Sequence, residues 1–201
     1  MLEHPTRGPV CANCWRSIAP LPCPLCESCG DWPLVARAQA AGAYDGALRA
    51  VIHALKYEGR RSLARPLAAL MLGRCEAVFV GADLLVPVPL HPSRRRSRGF
   101  NQALDLARRL RATGLPVCRA LRRVRATLTQ TGLLAEQRQR NMRDAFAPRW
   151  GMSRLDGATV VLVDDVSTTG ATLDACAKTL MQMGVREVRA VTAAKALLPP
   201  R

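Results

Sequence analysis

Lysine is nearly missing from this chain: of its 30 basic residues only Lys56, Lys178 and Lys195 are not arginine. None of the three follows a glycine, so the GxxxxGK[ST] loop of P-loop proteins is excluded. Aromatic residues make up 4% and stand apart from one another, which leaves no evident stacking platform for single-stranded nucleic acid. No apolar run approaches the roughly 20 residues of a membrane helix, so no membrane insertion is expected. The opening MLEHPTRGPV has no apolar stretch after its charges, so no secretory signal is expected either, and the expected location is the cytoplasm.

Acid is scarce too. Fifteen Asp and Glu face 30 Lys and Arg, a net charge of +15. The imbalance is local: residues 91–143 hold fourteen Arg against Asp105 and Glu136. Such a field favours polyanions, whether nucleic acid or pyrophosphate. The 201 residues, 49% hydrophobic, suffice for one domain of about 150 residues and a small appendage. Of eight cysteines, five crowd into residues 11–29, while Cys75, Cys118 and Cys176 lie scattered among apolar neighbours. In a reducing compartment the first group points to metal and the second to core filling.

Residues 1–33 are rich in Cys and Pro, lack helical periodicity, and read as a separate module. A linker is expected near Pro33 to Ala41, and a main domain over 42–198. Leu48, Val51, Ile52 and Leu55 then mark one face of a helix after Asp45, and Leu63, Leu67, Leu70 and Met71 a second. DLLVPVPL (83–90) reads as a buried strand, HPSRRRSRGF (91–100) as a loop, and Asn101 as the N-cap of a helix carrying Leu104, Ala107 and Leu110. Residues 111–158 are the least regular, with a short strand expected near Leu115 to Cys118. Thr159 to Val163 has the unbroken β-branched and aliphatic character of a strand buried on both faces. The loop DDVSTTG follows, then a helix from Ala171 with Leu173, Cys176, Ala177, Leu180 and Met181 on one face, and a last strand over 185–194. Strands alternating with helices imply an α/β fold with a mostly parallel sheet.

The run VVLVDDVSTTGAT (160–172) carries the most chemistry. A parallel strand delivers it to the carboxyl edge of the sheet, where open α/β folds bind ligands. Ser167, Thr168, Thr169 and Thr172 supply hydroxyls, Gly170 admits close backbone approach, and the helix starting at Ala171 offers free amides and a positive dipole end. This is a phosphate cradle. Asp164 and Asp165 can accept from vicinal sugar hydroxyls or help hold hydrated magnesium.

These thirteen residues resemble the phosphoribosyl pyrophosphate motif of type I phosphoribosyltransferases. Pro87-Val88-Pro89-Leu90, Arg98-Gly99-Phe100-Asn101-Gln102, Thr129-Gln130, Arg138 with Asn141, Phe146 and Lys56-Tyr57 before Gly59 extend the likeness to the ComF family, a branch of that group linked to DNA uptake in competent bacteria. The resemblance covers residues 44–195. It implies the type I phosphoribosyltransferase fold, a flexible hood over residues 126–145 and a small N-terminal zinc ribbon. It implies phosphoribosyl pyrophosphate with Mg2+ as ligand, and single-stranded DNA and competence proteins as candidate partners. Asp164 and Asp165 would be the catalytic acids, and Ser167, Thr168, Thr169, Gly170, Ala171 and Thr172 would hold the phosphoribosyl group. Arg98 and Gly99 would hold pyrophosphate, where a guanidinium can fork onto phosphate oxygens. Arg94, Arg95 and Arg96 fit a ligand contact and a solvated basic run equally, and His91 receives no role.

Cys11-x2-Cys14 and Cys23-x2-Cys26-x2-Cys29 have zinc-knuckle spacing. The resemblance favours Cys11, Cys14, Cys26 and Cys29 as ligands of a structural Zn2+, with Cys23 as the alternative to Cys29. Three functions compete. One is a ligand-binding protein of DNA handling. Another is a phosphoribosyltransferase acting on a nucleobase-type acceptor. The third is an interaction domain with a vestigial pocket, against which the intact loop argues. Purine-salvage members often carry an acid where this chain has Thr168, so the loop supports binding more firmly than turnover.

Overall fold

The computed structural model describes residues 9–21, 34–125, 144–152 and 154–197. Its centre is a parallel sheet of four strands in the order β1-β6-β5-β2: β1 (Arg37–Ala40), β2 (Leu84–Pro87), β5 (Thr159–Ser167) and β6 (Glu187–Lys195). A separate antiparallel ribbon pairs β3 (Leu121–Arg123) with β4 (Phe146–Pro148). The helices are α1 (Ala12–Arg16), α2 (Gly46–Tyr57), α3 (Ala64–Arg74), α4 (Glu76–Phe79), α5 (Pro92–Arg98), α6 (Gln102–Leu110) and α7 (Ala171–Gln182). None of the described helices is long and apolar enough to cross a membrane.

The period of two along β5 builds a core on each face of the sheet. Val161 and Val163 join Leu85, Val191 and Ala193 beneath α2, α3 and α6. Val160 and Leu162 join Val86, Val188 and Ala190 beneath α7, with Leu121 and Phe146 of the ribbon. The expected faces of α2 and α3 are buried as read. Asn101 caps α6: its Oδ1 accepts from the Ala103 amide at 3.0 Å and the Leu104 amide at 3.4 Å. Its Nδ2 donates to the Val88 carbonyl at 3.0 Å, tying the cap to the end of β2.

Five expectations are corrected. Residues 37–40, expected within the linker, form edge strand β1 in register with Arg189 to Thr192. The stretch 91–100, expected as a loop, contains α5. Pro92 begins it, His91 Nδ1 accepts from the Ser93 amide at 3.3 Å, and Gly99 ends it at φ 81. β5 runs on through Asp164, Asp165, Val166 and Ser167, which were expected in a loop, so the turn is only Thr168 to Gly170. The strand expected near Leu115 to Cys118 reduces to one bridge, Leu85 with Val117. Met181, expected on the buried face of α7, is 41% exposed. Residues 126–143, most of the expected hood, lie outside the described residues.

Of residues 1–33, positions 9–21 are described, and they pack onto the main core. Trp15 is fully buried there. The Arg74 guanidinium donates to the Ala41 carbonyl at 2.8 Å and the Ile18 carbonyl at 2.7 Å, stitching this segment to α3 and to the end of β1. A Cβ on Gly42 would lie 3.0 Å from Leu48 and 3.2 Å from the Ala19 carbonyl, so any side chain there would make these neighbours give by a few tenths of an ångström. Trp15→Ala is expected to destabilise the whole chain by about 3–5 kcal/mol, the range for emptying a buried aromatic site. Urea unfolding monitored by far-ultraviolet dichroism checks it. A loss below about 1 kcal/mol would mean that this segment is not part of the core.

Candidate functional site

The ladder between β5 and β6 continues to the pair Ser167 with Lys195, so both aspartates stand on paired strand rather than on a free loop. Strand alternation turns them to opposite faces. Asp165 follows Val161 and Val163 toward α2, where Lys56 lies in the last turn. Asp164 follows Val160 and Leu162 toward α7. The Lys56 ammonium sits 2.7 Å from Asp165 Oδ2, with side-chain exposures of 16% and 4%, so this ion pair is screened little by water.

The electrostatics differ between the two acids. Burial pushes the Asp164 carboxyl up from its usual 3.8 to about 8, and the charge of Asp165 adds to this, while Lys56 opposes it. Burial works to lower the Lys56 ammonium, but the charge and hydrogen bond of Asp165, with Asp164 behind it, outweigh burial and hold it above its usual value. The Asp165 amide donates to Asp164 Oδ1 and the Val166 amide to Asp165 Oδ1, each at 2.9 Å. One oxygen of each carboxyl is thereby fixed to the strand end.

A cleft of about 160 Å³ opens over this pair. Lys56, Arg94, Arg98 and Arg123 supply its positive wall, and Thr172 and Gln102 add polar groups. Arg98 is oriented twice: its Nη1 donates to Gln102 Oε1 at 2.7 Å, and its guanidinium lies 5.3 Å from the Tyr57 ring centroid. Arg123 lies over the Phe146 ring at 5.4 Å. Burial, and the charge of Arg94, lower the Arg123 guanidinium.

The hydroxyl-rich turn adjoins the cleft. Ser167 is buried and its Oγ has no hydrogen-bond partner among the described residues, an unmet group that a ligand oxygen would satisfy. Thr168 and Thr169 are half-buried, and Gly170 turns the chain into α7 at φ 77. The N-cap of α7 is Gly170, which has no side chain with which to cap it, and the first-turn amides of such a helix start are the kind of group that receives an anion.

Of the residues expected in the site, Asp164, Asp165, Arg98 and Thr172 line the cleft together. Ser167 ends β5, Thr168 to Gly170 form the adjoining turn, and Ala171 begins α7. Gly99 parts from Arg98 and lines a neighbouring cavity instead. Cys11 and Cys14 are exposed at the start of α1 with Sγ atoms 3.6 Å apart. Cys23, Cys26 and Cys29 lie outside the described residues. The direct pairing of Lys56 with an aspartate was not anticipated, and neither was Arg123 as a cleft wall; Arg94, which fitted a ligand contact and a solvated run equally, lines the cleft. Only Lys56 left a signal, a rare lysine at the margin of the apolar face of α2.

The phosphoribosyl transferase domain family matches residues 96–197, the stretch that carries β5 with both acids and the start of α7. Competence protein F of Haemophilus influenzae is 30% identical over 206 residues, spanning 92% of this chain and 90% of that protein. The DNA utilization protein YhgH of Salmonella typhimurium is 34% identical over 194 residues, spanning 91% and 82%. Competence protein ComFC of Bacillus subtilis is 25% identical over 186 residues, spanning 88% and 73%. The chain belongs to the ComF family of phosphoribosyltransferase-like proteins and has the type I phosphoribosyltransferase fold.

The raised Asp164 carboxyl has a consequence for stability. Between about pH 4 and pH 8 the folded chain holds a proton there that the unfolded chain has released. Stability from this group is therefore complete at low pH and is lost as pH rises through the folded value. Asp164→Asn should remove that slope. Its melting temperature is expected to exceed that of the wild type at pH 8, with the gap closing toward pH 5. A gap that widens on acidification contradicts the assignment.

Proposed function

We propose that the cleft binds phosphoribosyl pyrophosphate and that the chain serves DNA handling of the competence type. The observation that carries the first part is the meeting of the Asp164–Asp165 pair with Arg94, Arg98 and Arg123 in one cleft beside a helix start whose N-cap is Gly170. The 5-phosphate fits the first-turn amides after Gly170 and the unmet Ser167 hydroxyl. The ribose hydroxyls fit the two carboxyls, whose oxygens can accept hydrogen bonds from them. The pyrophosphate fits the arginine wall, above all Arg98, which Gln102 and Tyr57 hold in place. Oxygen ligands from Asp164 and Asp165 suit Mg2+, which when bound would neutralise charge on the pyrophosphate. Lys56 keeps a cation beside Asp165 in its absence.

The DNA-handling part rests on the relatives, two named for competence and one for DNA utilization, and on the ribbon. There the Arg122 guanidinium lies 4.5 Å from the ring centroid of Trp150, and Trp150 is 84% exposed. An exposed ring backed by a guanidinium offers a base a stacking surface and its phosphate a charge.

Calorimetric titration with phosphoribosyl pyrophosphate and magnesium tests the ligand. The wild type should bind, and Asp164→Ala/Asp165→Ala should lose about ten-fold or more, as expected on removing hydrogen bonds to charged groups. A wild type that does not bind refutes the ligand assignment. Pyrophosphate release that requires one member of a nucleobase panel would establish transfer as well as binding.

A structural zinc at the N-terminus is the remaining part of the reading. Zn–S bonds of about 2.3 Å in a tetrahedron set sulfurs about 3.8 Å apart, close to the 3.6 Å between Cys11 and Cys14. With Cys26 and Cys29 they would complete four thiolates and leave no open position for catalysis. Cys11→Ser should lower zinc content, measured by elemental mass spectrometry on the purified chain. Unchanged zinc would rule out this ligand set.

A further inference from the structure

A second cavity, of about 190 Å³, opens on the other flank of α5. Helical spacing separates the two spaces: Arg94 and Arg98, four residues apart, line the acidic cleft, whereas Arg95 and Gly99 line the second cavity. The two share only Pro89 and Leu90. Four separate segments bring Arg61, Arg95, Arg108 and Arg119 to its wall, and Asp105 is the single acid among the described residues there.

That acid is already committed. Asp105 is buried and takes a two-pronged contact from Arg61, Nε to Oδ2 at 2.7 Å and Nη2 to Oδ1 at 2.9 Å. Arg108 reaches it only at 3.9 Å. Arg61 also lies 5.3 Å from the Phe100 ring centroid, so its plane is held on two sides. A guanidinium carries five N–H donors, so Arg61 keeps donors in reserve. Arg95 and Arg119 have no acidic partner among the described residues. Although Arg119 is exposed, partial desolvation lowers its guanidinium, and the nearby charges of Arg149, Arg95 and Arg108 lower it further. The charges of Arg95, Arg108 and Arg119 act on one another in the folded chain, and an entering anion relieves that repulsion. The volume lies well below the roughly 300 Å³ at which pockets begin to enclose whole drug-sized ligands. It suits one phosphate or pyrophosphate group.

We propose that this second cavity binds a phosphate-type oxyanion, supplied as free pyrophosphate or as one phosphodiester of a nucleic-acid strand. The site is independent of the acidic cleft and stands whether or not phosphoribosyl pyrophosphate binds there.

Calorimetry of the full chain with inorganic pyrophosphate, without magnesium, tests the site. A pyrophosphate site should survive Arg98→Ala and weaken about ten-fold or more in Arg95→Ala/Arg119→Ala, the scale of losing charge-assisted contacts. Arg109→Ala/Arg111→Ala removes the same charge from exposed positions outside the cavity and should leave that site within about two-fold, because screening blunts distant charges. Should the Arg95→Ala/Arg119→Ala chain melt early, Arg119→Gln alone carries the test, since Arg119 is exposed. Three results overturn the proposal: no pyrophosphate binding, binding unchanged in the cavity variants, or an equal loss in Arg109→Ala/Arg111→Ala. The source follows from competition. A single-stranded oligonucleotide of about ten nucleotides that displaces pyrophosphate, and itself weakens in the cavity variants, identifies a phosphodiester. Pyrophosphate bound at this site and indifferent to the oligonucleotide identifies the free anion.

Discussion

Two carboxyls at the buried end of one strand repel each other, and Lys56 is the cation that makes their proximity tolerable. Its ammonium, 2.7 Å from Asp165, sits in the last turn of α2, where the negative end of the helix dipole also favours positive charge. The position of α2 is in turn set by Leu48, Val51, Ile52 and Leu55, which bury against the sheet face carrying Val161 and Val163. The site's electrostatics therefore depend on helix packing well below the cleft. Asp164 faces the other way, toward α7, and burial pushes its carboxyl up to about 8. Alternation along a single strand thus gives two neighbouring aspartates different chemistry, because each sees a different side of the sheet.

Rigidity comes from the same strand. β5 stays paired with β6 as far as Ser167, so the acids and the serine are held by a hydrogen-bonded ladder. The turn that must approach a phosphate is short, Thr168 to Gly170, and it opens directly onto α7. A ligand entering here meets groups already in position, and less of its binding energy goes into ordering the protein.

Much of this was legible in the sequence where one local signal dominated. The unbroken apolar run of β5, the apolar spacing on α2 and α3 and the Asn101 cap each determine their element within a few residues. Other parts had no such signal. The helix α5, PSRRRSR, has no buried residue, so apolar periodicity could not reveal it; Pro92, His91 and Gly99 define it through its ends. β1, RAQA, is a short edge strand, and only its neighbour β6 shows that it is one. The extension of β5 through two aspartates runs against the usual depletion of Asp in strands, and pairing with β6 overrides that preference. The acidic pair and Arg98 could be read from their motifs. The contact of Lys56 with Asp165 joins residues more than a hundred positions apart, and only tertiary packing creates it.

The charge excess shows most plainly what folding adds to composition. In the sequence, residues 91–143 read as a continuous basic stripe suited to any polyanion. In the folded chain seven of the eleven described arginines of that stretch divide by address, while Arg96, Arg109, Arg111 and Arg125 line neither space. Arg94, Arg98 and Arg123 turn into the acidic cleft, Arg95, Arg108 and Arg119 into the second cavity, and Arg122 lies against Trp150. The divider is α5, a polar helix of seven residues whose two flanks serve different spaces. A solvated stripe would let its guanidinium groups spread apart in water to reduce repulsion. Here backbone positions on several elements hold them in sets, which is unfavourable for the empty fold and favourable once an anion arrives. The same number of arginines scattered over the surface would give the same isoelectric point without either cavity.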